Sequence, residues 1–287
     1  MYVDFKYHSP KSISELFGLF SSTEEPLVYA GGTDLLVLLR SKKVSAKHII
    51  DIKKLPELSG ISQTDEWISI GATECFSTLS RSELVKEWAH TLNEAARQVG
   101  SEQIRNKGTI GGNIQTASPA GDGLVAALGL DAELSLLSPA GERRLTLSDF
   151  VLAPRSTALK SHEIIVGVHV PKRKWNFQRF FKVGLRNALA ISVVNGAVTL
   201  SLDSSGIVTD ARIVLGAVAP TPVRIKRAED LLAGCAVDAI SLVEVAQAVR
   251  ESIQPITDIR ASAEYRSYIA GVMVKRQIEA FKEVCSA

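Results

Sequence analysis

The sequence is poor in the residues that metal and nucleophilic chemistry require. Its three cysteines, Cys75, Cys235 and Cys285, are far apart, with no CxxC pair and no Cys/His cluster at metal-ligand spacing. Such isolated thiols read as reduced side chains and cannot ligate an iron–sulfur cluster. The five histidines are dispersed. No Ser/His/Asp or Cys/His arrangement is legible, so no protein acid, base or nucleophile is nominated. Charge of one sign is missing too, because 33 basic residues meet 31 acidic ones. That balance excludes the field expected of a nucleic-acid or anionic-lipid partner. The opening MYVDFKYHSPKS has neither a basic n-region nor an apolar h-region, and no later run is long enough to span a bilayer. The expectation is a cytoplasmic protein without membrane insertion.

What is present is enough apolar material, 46% of 287 residues, for two domains. A strand around Val3 and Phe5 leads to a helix capped by Ser12. The β-prone run 27–30 then stops at Gly31-Gly32, and Thr33-Asp34 open a capped helix over LLVLLR. With the apolar run 48–52 this makes a βαβαβ unit. A hairpin around 67–72 begins a second lobe, and residues 73–99 carry apolar side chains at helical spacing up to Gly100. The glycine-rich segment 103–122 cannot be a regular helix. A short helix at 124–130 and strands at 132–137 and 164–170 complete the lobe, and Pro171-Lys172-Arg173-Lys174 marks a domain boundary. Strands at 175–182, 192–202 and 207–218, followed by helices at 241–253 and 261–284, predict an α+β second domain.

Two loops place consecutive glycines where backbone must approach something closely: Ala30-Gly31-Gly32-Thr33-Asp34 and Thr109-Ile110-Gly111-Gly112-Asn113. Glycine lets successive N–H groups converge on one point, as a diphosphate requires. Neither loop is a GxGxxG or a Walker sequence, and either one alone is equally an ordinary tight turn.

The pair in this order, with LVYAGGTDLL at 27–36, QIRNKGTIGGNIQTASPAGD at 103–122 and RIVLGAVAPTPVR at 212–224, resembles the FAD-binding subunits of the xanthine dehydrogenase and carbon monoxide dehydrogenase group of molybdenum hydroxylases. The resemblance implies an α+β fold: a two-lobed FAD domain of the vanillyl-alcohol-oxidase (PCMH) type over 1–173, with lobes 1–55 and 56–173, then a small α+β domain of the CO dehydrogenase flavoprotein type over 174–287. It implies non-covalent FAD extended between the lobes. Leu27, Val28, Tyr29, Ala30, Gly31, Gly32, Thr33 and Asp34 then wrap the pyrophosphate from one side, and Thr109, Ile110, Gly111, Gly112 and Asn113 from the other. Thr116 and Asp122 match positions at the adenosine end or the phosphates, Asp122 being suited to a ribose hydroxyl. Ile165 and Lys182 match positions that touch the flavin, although an isoleucine in a strand is equally core and a lone lysine equally solvated. Leu189 and Ile191 are candidates to bound the isoalloxazine ring, and Arg105 and Asn106 to support the second loop.

By the same resemblance, a large molybdopterin subunit hydroxylates the substrate, a small subunit with [2Fe–2S] clusters relays electrons, and the flavin subunit delivers them to NAD or another acceptor. The alternative reading is a free-standing FAD oxidase or dehydrogenase of the vanillyl-alcohol-oxidase type. A scaffold that keeps the fold without FAD is the third.

Overall fold

A computed structural model describes residues 5–286. The first lobe is a small parallel sheet in the order β1-β3-β2, formed by β1 (Lys6–His8), β2 (Leu27–Tyr29) and β3 (His48–Asp51). The connections are α1 (Ile13–Ser22) and α2 (Leu35–Arg40). The Ser12 hydroxyl caps α1 by accepting the Glu15 amide, and Leu16 and Phe20, one turn apart, bury its inner face. The expected first strand is described at Lys6–His8, just after Phe5; Val3 is outside the described residues. The second helix is not capped as expected: the Asp34 side chain makes no bond to a helix amide.

The second lobe is a five-stranded antiparallel sheet in the order β4-β5-β10-β6-β7 with helices on one face. Its strands are β4 (Ile61–Gln63), β5 (Trp67–Gly71), β6 (Glu133–Ser138), β7 (Gly141–Thr146) and β10 (Ile164–Pro171). Alternate residues Ile68 and Ile70, Leu134 and Leu136, and Val168 and Val170 turn inward. They meet α3 (Phe76–Arg81), α4 (Glu83–Trp88), α5 (His90–Gln98) and α8 (Asp122–Leu128). The helical spacing expected over 73–99 is carried by three helices. Ser82 ends α3 in extended backbone while its hydroxyl accepts the Val85 amide to start α4. The glycine-rich segment is more helical than expected, with α6 (Glu102–Arg105) and α7 (Ile110–Gln115) inside it. The elements α9 (Leu147–Phe150), β8 (Val151–Ala153) and β9 (Ser156–Thr157), and the strand β7, went unread in the sequence.

The rest is an antiparallel sheet, β11 (Phe177–Val183), β12 (Val194–Leu202), β13 (Val208–Gly216) and β14 (Val223–Arg224), covered by α10 (Lys226–Leu232), α11 (Leu242–Glu251) and α12 (Ala263–Ser286). Strand β12 is buried from Val194 to Leu200, as befits a central strand packed on both faces. One face meets α12; on the other, Phe180, Ala197 and Val214 join the core of the second lobe. Asp131 reinforces that seam by accepting from Arg173 at 2.8 Å, Arg212 at 2.9 Å and Arg224 at 3.3 Å. No helix among the described residues is long and apolar enough to cross a membrane.

Candidate functional site

Between the two lobes runs a cleft of about 750 Å³, within the range of ligand pockets. All the sequence-predicted binding residues line it except Tyr29 and Ile110, and so do Leu189 and Ile191. Tyr29 packs beneath the first loop, where its ring lies against Gly32. Ile110 is fully buried in the core, and its amide donates to the Glu74 carbonyl at 3.0 Å. Arg105 donates at 3.2 Å to the carbonyls of Val99 and Gly100, where α5 ends.

The two glycine loops touch each other. A Cβ on Gly31 would sit 2.2 Å from the Lys107 carbonyl oxygen, so only glycine allows the approach. Gly32, at φ +70°, takes a left-handed turn that glycine adopts without strain. Among the described residues, the amides of Gly31, Gly32, Thr33 and Asp34 donate to no protein acceptor. The second loop is different. Gly111 donates to Ala72 O at 2.9 Å, Gly112 to Thr109 Oγ1 at 3.1 Å and Asn113 to Thr109 O at 3.0 Å. Of the two loops expected to present amides to a diphosphate, the first alone keeps all of its glycine-loop amides without a protein acceptor. The second is a preformed wall, tied to the end of β5 and capped by Thr109.

Charge in the cleft is balanced pair by pair. Three acids line it, and each meets a cation: Glu163 with Arg143 at 2.7 Å, Asp122 with Lys182 at 2.5 Å, and Asp34 with Arg155 at 3.3 Å. The hydrogen bond from Arg143 holds the Glu163 carboxyl below its ordinary range, so it stays ionised and paired. Asp122 also accepts from Ser192 at 2.9 Å and Asn195 at 2.7 Å, and only 6% of the residue is exposed. Its carboxylate is thus held by three donors of the protein at the wall of the cleft. Lys182 is no solvated lysine either; it also donates to Gln98 O at 3.2 Å. Arg155, Arg143 and Ser192 were missed in the sequence, because nothing in their local spacing signals partners so distant in the chain.

This arrangement can hold an extended anionic ligand: the unpartnered amides suit a diphosphate, and the paired acids leave no uncompensated negative charge against it. It offers no Ser/His/Asp or Cys/His set, and among the described residues no group of His, Cys, Asp and Glu is placed to hold a metal.

The comparisons with known proteins agree with this geometry. Residues 3–173 match the family model described as the FAD binding domain in molybdopterin dehydrogenase. Residues 179–281 match the CO dehydrogenase flavoprotein C-terminal domain. The chain is 34% identical to the nicotinate dehydrogenase FAD-subunit of Eubacterium barkeri, over 95% of this chain and 94% of that one. It is 30% identical to the carbon monoxide dehydrogenase medium chain of Hydrogenophaga pseudoflava, over 98% of each. A solved structure of carbon monoxide dehydrogenase from that organism, lacking the Mo-pyranopterin moiety of its molybdenum cofactor, superposes with a TM-score of 0.93 at 31% identity, over 99% of both chains. Quinoline 2-oxidoreductase from Pseudomonas putida 86 gives a TM-score of 0.93 at 27% identity. The chain belongs to the FAD-binding medium subunits of the xanthine dehydrogenase and carbon monoxide dehydrogenase family.

Proposed function

We propose that this chain is the electron-exit subunit of a cytoplasmic molybdenum hydroxylase, taking electrons from a small [2Fe–2S] subunit and passing them to an external acceptor such as NAD. The observation that carries the reading is the first loop: amides with no protein acceptor, opening on a charge-balanced cleft, in a chain without cluster ligands. FAD, when bound, takes electrons singly and releases them in pairs. The protein's own residues bind and orient it. Gly31 to Asp34 take the diphosphate through their amides, and Thr109, Gly112 and Asn113 form the facing wall. Ile165, Leu189 and Ile191 supply apolar surface for the ring system, and Lys182 stands beside them, aimed by Asp122. The change of domain falls at 173/174 in the same reading. Substrate chemistry belongs to a large molybdopterin subunit, because no residue of this cleft offers a base or nucleophile for it.

The test is reconstitution. Co-expression with the small and large subunits yields one assembly, possessing flavin absorbance that hydroxylase substrate bleaches and NAD restores. The purified chain alone leaves substrate untouched. Efficient oxidation of an organic substrate by the single chain overturns the proposal in favour of a free-standing oxidase.

A further inference from the structure

The three acids of the cleft are neutralised in different settings. Glu163 and Asp122 are buried, whereas Asp34 is half-exposed on the loop with the unpartnered amides. Its cation comes from the other lobe, 121 residues later in the chain. Asp34 stands at the entry to α2, where an Asp side chain ordinarily accepts a helix amide, yet it makes no such bond and turns to Arg155 instead. Arg155 is held in place by its own backbone: φ is +59° in the turn between β8 and β9, and its N–H donates to the Ala117 carbonyl at 3.2 Å.

We propose that Arg155 is a positioning residue of the cofactor site, acting through Asp34. By pairing with that carboxylate it removes a negative charge from beside the diphosphate position and links the lobes across the cleft. This rests on the FAD reading of the first loop. Without Arg155, an ionised carboxylate stands unpaired next to an anion, and binding weakens by like-charge repulsion. Without Asp34's charge there is nothing for Arg155 to neutralise.

The test is a double-mutant cycle in the full chain: Arg155→Ala in the native and Asp34→Asn backgrounds, with the FAD dissociation constant measured by flavin fluorescence at low and high salt. The melting temperature of each apoprotein is followed alongside. In the native background Arg155→Ala weakens FAD binding about fivefold, as expected for an exposed pair, and the loss shrinks in high salt. In the Asp34→Asn background the same change costs less than about twofold. Arg155→Lys keeps most of the affinity, and Arg155→Gln serves the same comparison should the alanine variant fail to fold. Unchanged affinity in the native background overturns the proposal, and so does an equal loss in both backgrounds. A native chain that takes up no FAD defeats the flavin reading and this inference together; normal uptake with uncoupled variants defeats this inference alone.

Discussion

Replacing Gly31 with alanine puts a methyl carbon 2.2 Å from the Lys107 carbonyl oxygen and 2.9 Å from Gly108 Cα, both rigid backbone. Ordinary contact needs about 3.5 Å, so the two loops must part by roughly 1.3 Å. A shift of that size carries an amide out of hydrogen-bonding range. Each amide bond lost to a charged phosphate costs ~1.5–3 kcal/mol, roughly ten- to hundredfold in the dissociation constant. The overpacking itself lowers stability by about 1–3 kcal/mol. The assay is FAD titration of the purified apoprotein by flavin fluorescence, with far-ultraviolet circular dichroism and a melting curve to show that the chain is folded. Gly18→Ala is the control, because a Cβ there meets nothing within 4 Å. It retains native affinity. A folded Gly31→Ala protein with native FAD affinity would falsify the claim that this loop contact shapes the cofactor site.

Asp122→Ala strips the partner from a nearly buried Lys182 and from Ser192 and Asn195, so urea unfolding shows a loss of about 3 kcal/mol. Native stability with weakened FAD binding instead refutes the structural role and places Asp122 at the cofactor. Burial pushes the Asp258 carboxyl up, but the Arg260 amide and the Arg266 guanidinium outweigh it and bring it down to about 2. A carboxyl depressed on folding contributes stability above its unfolded pKa of ~3.9 and loses it as the pH falls towards its folded value. The native melting temperature therefore drops more steeply between about pH 4 and about pH 2 than that of Asp258→Asn; parallel curves contradict the pairing. Acid precipitation releases all the flavin as FAD, since neither glycine loop carries a histidine or cysteine to tether it. Flavin left in the washed pellet refutes this.

Much of the architecture was legible because it is local. Ser12 caps its helix through a hydroxyl three residues from the amide it accepts, and the alternation in 67–70 marks a strand with one face in the core. The helical character of residues 73–99 was legible because apolar spacing survives the two interruptions. The break at Ser82 belongs to its backbone and hydroxyl, which periodicity does not register.

The sequence by itself determined the two glycine loops, their order, the family wording around them and the lack of cluster-forming cysteines. From these followed a dinucleotide site and the need for partner subunits. Only the tertiary structure decided which loop keeps its amides free, because those of Ile110 and Gly111 in the second loop are taken up by Glu74 and Ala72, more than thirty residues earlier in the chain. It likewise decided that Asp122 answers Lys182, that Arg143 answers Glu163 and that Arg155 answers Asp34. Hydrogen bonds and ion pairs are set by distance in space, and a turn or a lone charge in the sequence carries no record of the partner that folding brings to it.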